Sequence, residues 1–371
     1  MNAALHPVSG NPAALSERRP HIVDMTMFWG AESGGVRRYL NAKHEFFSES
    51  SDFRHTVVVP GKLSAISPLV PGLPLPFAPG YRIPLSQRST RKVLAGLKPD
   101  LIEAGDPYHF SWTALKISEE MGVPAVAFYH SDLPELAMRA FGHGGRHAAM
   151  AYARSLYPRF DAVFAPSLHA VERLESFGVK HALHQPLGVN TDIFHPSRRD
   201  PRWREELGLP LAPQRRSSGQ SSPAPKIAIY VGRFAMEKNL EVLTEAVRRL
   251  GSEVVLVAIG GGPLVPTGAN VRVLPFESNP YALARAIASA DVFVHAGDQE
   301  TFGLAALEAL ACGTPVIACN SGGLGELVDD TVGYSVPHCN SDEFSGALRA
   351  LFRRDPVALG IAARERAERY D

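Results

Sequence analysis

The sequence predicts an α/β protein of two successive domains, and three observations carry that reading. Short β-branched runs alternate with longer helical patterns, the sign of βαβ units and parallel sheets. That rhythm pauses near residues 190–200 and restarts after a stretch dense in Ser, Pro, Gln and Arg, Leu211 to Pro225. At 371 residues the chain is long enough for two cores of ordinary size.

In the first half the strands are predicted at His21–Met25, His55–Val59, Asp100–Ala104, Pro124–Phe128 and Asp161–Ala165. Helical patterns follow at 34–48, 110–121, 145–157 and 167–177, the last with Ser167 as N-cap. Residues 60–90, rich in proline and apolar side chains, read as an irregular loop with an edge hairpin. The hinge is placed near 190–200, because Trp203 to Leu209 reads as a short helix leading into the next strand. This divides the chain into 1–198 and 199–371. Residues 210–225 cannot bury enough apolar surface to order themselves and read as a flexible surface loop. Beyond it, strands are expected at Lys226–Val231, Glu253–Ile259, Asp291–Val294 and Pro315–Ala318, with a helix near 239–250.

Composition narrows the function. Hydrophobic content of 45% and charged content of 20% are those of a soluble globular protein. Equal counts of basic and acidic residues, 38 each, argue against a nucleic-acid partner, which needs a net positive surface. Cys312, Cys319 and Cys339 lack Cys-x-x-Cys spacing and are an odd number, which suggests reduced thiols and a cytoplasmic setting. Met1 to Pro20 is polar, without the apolar core of a signal peptide. No run of about 18 apolar residues exists to span a bilayer, so any membrane contact would be peripheral.

The most informative stretch is Gln299-Glu300-Thr301-Phe302-Gly303-Leu304-Ala305-Ala306-Leu307-Glu308, continuing through Cys312-Gly313-Thr314-Pro315-Val316. A helix is expected to begin near Phe302-Gly303, where free N–H groups would attract an anion. A step of eight residues is roughly two helical turns, which would return Glu308 to the face of Glu300. Glu308 lies among alanines and leucines, where a carboxylate is costly unless hydrogen bonds satisfy it. An anion site beside two carboxylates aimed at hydroxyls suits a sugar nucleotide.

With that glutamate pair, its Phe-Gly and its Cys-Gly-Thr-Pro-Val, the chain resembles the retaining glycosyltransferases of the GT-B type, family four (group 1). The resemblance covers roughly residues 21–340 and extends to bacterial nucleotide-sugar-dependent hexosyl- and mannosyltransferases. It implies two Rossmann-like domains facing a cleft, with 1–198 on the acceptor side and 199–371 binding the nucleotide sugar. It also implies a C-terminal helix crossing back to the first domain. This sequence stops after the charged helical stretch Arg364 to Asp371, where that helix would follow.

Several residues then acquire expected roles. Arg233 and Lys238 follow the strand ending at Val231, where α/β sheets bind ligands, and supply the cations a diphosphate requires. The resemblance puts them on the donor diphosphate, with Lys238 near the leaving group. It assigns Glu308 to ribose hydroxyls and Glu300 to hydroxyls of the transferred sugar, beside Phe302, Gly303 and Leu304. Gly34 and Gly35 stand between a strand and a helix and match a loop that faces the donor. His130, just past a strand end, matches a histidine near the acceptor hydroxyl and donor sugar; domain closure would bring it and the Gly34-Gly35 loop over the donor. Phe276 is either a wall of the base-binding loop or ordinary core, and Gly260-Gly261-Gly262 is either a tight turn or a wall of the nucleotide pocket. Asp132, Glu103, Asp106 and His109 are weaker acceptor-side candidates.

No Asp-x-Asp motif occurs, and the fourteen histidines form no set at metal spacing, so no metal or other cofactor is expected. The resulting expectation is a retaining hexosyltransferase of cell-envelope glycan biosynthesis. It would take a nucleotide-diphosphate sugar as donor and a glycan, lipid-linked or glycolipid hydroxyl as acceptor. It would work in the cytoplasm or at the inner face of the membrane, without nucleic acid. The rivals are a GT-B sugar-nucleotide epimerase, which would need further acids and bases around the sugar, and a non-catalytic sugar-nucleotide-binding or assembly protein.

Overall fold

The computed structural model describes residues 18–30, 34–49, 52–61, 69–75, 81–210, 214–215, 221–222 and 224–371. Most of the Met1–Pro20 stretch, and most of the loop expected to be flexible at 210–225, lie outside them.

The first half runs β1 (His21–Met25), α1 (Gly35–Glu49), β2 (Arg54–Pro60), β3 (Leu69–Val70), β4 (Gly72–Pro74), β5 (Arg82–Pro84), α2 (Gln87–Leu97), β6 (Leu101–Ala104), α3 (His109–Met121), β7 (Ala125–Phe128), α4 (Leu133–Leu156), β8 (Ala162–Ala165), α5 (Leu168–Ser176) and β9 (Ala182–His184). Seven of these strands form one sheet in the order β3-β2-β1-β6-β7-β8-β9. β4 and β5 pair antiparallel, the hairpin expected within 60–90. The helix α2 in the same region was not foreseen. Ser86 caps it, accepting from Ser89 N at 3.2 Å. α4 starts twelve residues earlier than the expected 145, after an Asp132 N-cap, and kinks at Gly142, where φ is 65°. Ser167 caps α5 as expected.

After α6 (Pro201–Glu206), β10 (Gln214–Arg215) and β11 (Ser221–Ser222) pair antiparallel. Then follow β12 (Lys226–Val231), α7 (Leu240–Leu250), β13 (Val254–Ile259), β14 (Val271–Leu274), α8 (Pro280–Ser289), β15 (Val292–His295), α9 (Leu304–Ala311), β16 (Val316–Cys319), α10 (Leu324–Leu327), β17 (Gly333–Val336), α11 (Ser341–Leu351) and α12 (Pro356–Ala367). The six-stranded sheet has the order β14-β13-β12-β15-β16-β17, parallel throughout. β13 is buried at all six positions, as a parallel strand covered on both faces requires. α7 buries Leu240, Leu243, Ala246, Val247 and Leu250, a spacing that lays one apolar stripe on the sheet.

Two compact units divide the chain. One takes the chain up to Gly30, Val36–Phe128 and Arg159–Ala162; the other takes the short stretch ending at Gly35, Tyr129–Pro158 and Val163–Asp371. Within the first, Lys43 of α1 is clamped to the sheet. Its Nζ donates to Asp24 Oδ1 on β1 at 3.0 Å and to Glu103 Oε2 on β6 at 2.8 Å. His55 Nε2 of β2 meets the other Asp24 oxygen at 2.7 Å. Burial works against the Lys43 charge, but the two carboxylates outweigh it and keep the ammonium protonated well above its usual range.

One expectation fails. Cys319 and Cys339 are joined as a disulfide, Cα atoms 5.5 Å apart, between the end of β16 and the turn before α11. Their Cα spacing lies within the disulfide range. An odd cysteine count and a 20-residue separation carry no trace of that proximity; Cys312 alone is free, and buried.

Candidate active site

The strand ends of the six-stranded sheet build the site, starting at β12. Gly232 has φ of 155°, and the Tyr230 hydroxyl donates to Arg233 O at 2.8 Å, which fixes the turn. Gly260 and Gly262 pass against this turn: a Cβ on either would run into the Gly232 or Phe234 backbone. Phe234 N donates to Gly261 O at 2.7 Å. The triple glycine is thus the tight turn that lets a second loop support Arg233. The Arg233 side chain is exposed and meets Glu237 Oε1 at 2.6 Å.

Lys238 ends a 3-10 turn, Met236–Lys238. Asn239 follows with φ of 49°, uncommon for a residue other than glycine. Its Nδ2 donates to Ala296 O at 2.9 Å, which pins the start of α7 to the end of β15. This brings the Lys238 ammonium onto Glu300 Oε1, an ion pair of two half-buried side chains.

Glu300 has a second partner. His295 Nε2 lies 3.2 Å from the same oxygen, Oε1. Burial pushes the Glu300 carboxyl upward, but the Lys238 charge and the His295 hydrogen bond outweigh it and hold the group well below the usual carboxylate range. The loop is also held by its backbone. Gly323 N donates to Glu300 O at 2.8 Å, and Ser321 Oγ to Asp298 O at 2.7 Å. A Cβ on Gly322 would strike the Glu300 carbonyl, and one on Gly323 would lie 2.5 Å from Phe302 Cα.

The helix α9 begins only at Leu304, so Glu300 is not on it. Glu300 and Glu308 therefore do not share one helix face, contrary to the expectation from their eight-residue spacing. Glu300 belongs to a loop and Glu308 to the body of a buried helix. Gly303 enters that helix with φ of 101°, and no side chain caps its first turn, which leaves main-chain donors facing outward. The Phe302 ring is buried edge-on to Tyr370, with centroids 5.9 Å apart. Glu308 is 1% exposed.

Other candidates fall in the second unit too. Thr301 Oγ1 donates to His130 O at 3.1 Å, joining His130 to the Glu300 loop. A Cβ on Gly35 would lie 3.8 Å from Leu304 Cδ2, while one on Gly34 would meet nothing within 4 Å. Phe276 is half-buried in the loop between β14 and α8. Asp132 is occupied structurally, as N-cap of α4 and partner of Arg173 at 2.9 Å. In the first unit Glu103 belongs to the Lys43 clamp. Asp106 accepts from Met27 N at 2.7 Å and from Tyr108 N at 3.1 Å. Burial dominates those bonds and raises its carboxyl to about 7. Burial lowers His109.

Two family profiles match the chain in succession: Glycosyltransferase Family 4 over residues 33–207, and Glycosyl transferases group 1 over residues 213–369. The chain belongs to glycosyltransferase family 4. Among curated members, it is 28% identical over 376 residues to the GDP-mannose-dependent alpha-(1-6)-phosphatidylinositol dimannoside mannosyltransferase of Mycobacterium tuberculosis, covering 94% of this chain and 91% of that one. It is 35% identical over 238 residues to the GDP-mannose-dependent alpha-mannosyltransferase of Mycolicibacterium smegmatis, 64% of this chain and 60% of the relative. In fold it is similar to sucrose-phosphate synthase from Thermosynechococcus elongatus, with a TM-score of 0.75 at 21% identity over 95% of each chain.

As a family 4 glycosyltransferase with the GT-B fold, the protein moves a sugar from a nucleotide sugar to an acceptor with retention of configuration. The residue that sequence reasoning missed is His295. The same signal that singled out His130, a histidine closing an apolar strand, was present in Val292-Phe293-Val294-His295. Among the described residues no group of three or more His, Cys, Asp or Glu could hold a metal ion, and no helix is long and apolar enough to cross a membrane.

Proposed function

We propose that the chain is a mannosyltransferase that uses GDP-mannose and adds the sugar to a hydroxyl of a glycolipid or lipid-linked glycan. The observation that carries this is the relative named for phosphatidylinositol dimannoside, whose likeness runs through nearly the full length of both chains. The geometry around Glu300 supports it, since the Lys238 ammonium lies against that carboxylate, a cation for a diphosphate beside an acceptor for a sugar hydroxyl.

In this reading Arg233 and Lys238 hold the diphosphate and stabilise the negative charge that builds as the anomeric carbon leaves it. As the bond from the anomeric carbon to the diphosphate oxygen breaks, the acceptor oxygen bonds to that carbon and its proton passes to the departing diphosphate. Glu300 accepts from hydroxyls of the transferred hexose and Glu308 from the ribose. The main chain at Phe302, Gly303 and Leu304 offers donors to the diphosphate, as do Gly34 and Gly35. His130 serves the acceptor side, and Phe276 flanks the base.

The division at 198/199 into an acceptor-side and a nucleotide-sugar domain belongs to the same proposal. The first sheet ends with β9 at His184, and the second begins with β12 at Lys226. A lipid acceptor implies work at the inner membrane face by peripheral contact.

The test is incubation of the protein with UDP-, GDP- and ADP-sugars, each with and without a phosphatidylinositol mannoside. Products are read by mass spectrometry. GDP-mannose with a mannosylated lipid product supports the reading. An isomerised nucleotide sugar in the absence of acceptor would instead identify an epimerase.

A further inference from the structure

We infer that His295 is a positioning residue for Glu300: its ring, held in one tautomer by the backbone, presents Nε2–H to Glu300 Oε1 and so leaves the other carboxylate oxygen aimed at the sugar. This rests on the reading of Glu300 as the acceptor of hexose hydroxyl bonds.

Four observations carry it. Gly297 N donates to His295 Nδ1 at 3.0 Å. A nitrogen that accepts from a backbone N–H holds its lone pair there, so the ring proton resides on Nε2, and this is the atom 3.2 Å from Glu300 Oε1. The ring is 4% exposed and wedged in place, with the Tyr230 ring centroid at 5.7 Å and Phe293 stacked at 6.4 Å. Gly297 closes over it so tightly that a Cβ there would lie 2.6 Å from His295 Cε1.

The fourth observation concerns which oxygen is used. Both donors to the Glu300 side chain, Lys238 Nζ and His295 Nε2, meet Oε1. Among the described residues Oε2 has no protein donor, so it is the oxygen left to accept from a ligand hydroxyl. Lys238 sits on a flexible stem whose charge is also suited to the phosphate. When the ammonium turns to the diphosphate, His295 is the group that keeps Oε1 in place. A rigid imidazole on a strand end performs this better than a mobile side chain.

The neighbouring polar groups leave the ring free for this one task. The Tyr230 hydroxyl is committed to Arg233 O, and Asn239 to Ala296 O. Glu237 is paired with Arg233.

Three variants separate this role from simple packing. His295→Gln keeps an amide N–H that reaches Glu300. His295→Asn keeps an acceptor for Gly297 N–H but does not reach Glu300. His295→Phe keeps only ring shape. With GDP-mannose as probe, Asn and Phe are expected to lower kcat about 10-fold or more, the loss of a hydrogen bond to a charged group, while GDP affinity stays as in the wild type. Gln restores most of the rate. In a Glu300→Ala background, His295→Phe has no further effect on kcat, because the two act as one unit.

Independently of any ligand, 15N spectra of the histidine ring are expected to show a proton on Nε2 and none on Nδ1. Replacing Glu300 by Gln shifts the Nε2 signal. A protonated Nδ1, or a His295→Phe enzyme with wild-type kcat beside an impaired Glu300→Ala enzyme, overturns the inference. A Glu300→Ala enzyme that transfers normally overturns the underlying reading of Glu300 instead.

Discussion

Lys238 and Glu300 are ion-paired across two strand ends of one sheet, so the cation proposed for the phosphate and the carboxylate proposed for the sugar touch each other. In the proposed reading the pair links the residue on the diphosphate to the residue on the sugar.

Replacing Lys238 by Ala removes a preorganised charge and loosens Glu300 together, whereas Arg233→Ala removes a charge whose partner is Glu237 rather than Glu300. Each is expected to lower kcat on the order of 10²-fold, with Lys238→Ala the worse of the two. Steady-state kinetics check this, with melting temperatures as the control for folding.

The two glutamates should respond differently to a nucleotide without sugar. Glu308→Ala is expected to weaken GDP and GDP-mannose alike, by about 10- to 150-fold for a lost charged hydrogen bond. Glu300→Ala should leave GDP affinity nearly intact while damaging transfer. Calorimetry with GDP against both variants decides it, and identical responses would end the assignment.

Removing the cation that clamps α1 leaves two buried carboxylates facing each other. Lys43→Met is therefore expected to destabilise the fold by about 3–5 kcal/mol. Chemical denaturation measures it. A restoration by the added change Asp24→Asn would confirm that the leftover charge is the cause.

Asp106 gives a pH signature with a definite sign. Its folded carboxyl lies near 7, above the ordinary 3.8. The folded state thus holds that proton more tightly, and the stability it contributes is full below about pH 4 and lost as pH rises to about 7. The shift corresponds to at most roughly 4 kcal/mol across that window. Asp106→Asn should flatten this part of the stability profile, although it lowers the baseline by spoiling one backbone bond.

Activity is expected to survive an excess of EDTA, with the leaving diphosphate served by side-chain cations and main-chain donors. Loss that magnesium or manganese restores would disprove it.

Much of this architecture was legible because parallel strands are nearly pure apolar runs. Lys226–Val231 and Glu253–Ile259 could be read almost to the residue. α2 was not, since it lies beyond a proline-rich stretch and its helical signal is a Ser86 cap on a polar sequence. At the site, Arg233, Lys238 and the glutamates carried a spacing that a reader can recognise. The contacts that hold them did not. His295, Asn239 and the Cys319–Cys339 bond are set by how strand ends converge in space, and one-dimensional spacing contains no record of that. Glu300 lies off the helix face for the same reason, because a regular helical period does not extend through the loop before Leu304.

Gly260 and Gly262 run beneath the Arg233 turn, and Gly322 and Gly323 beneath Glu300, with no room for a methyl group at any of the four. Substitutions that disturb these loops are accordingly not confined to the side chains proposed to meet the donor. A single alanine at any of the four would displace the loop packed against it, so tolerance to substitution is low there although these residues have no side-chain chemistry of their own.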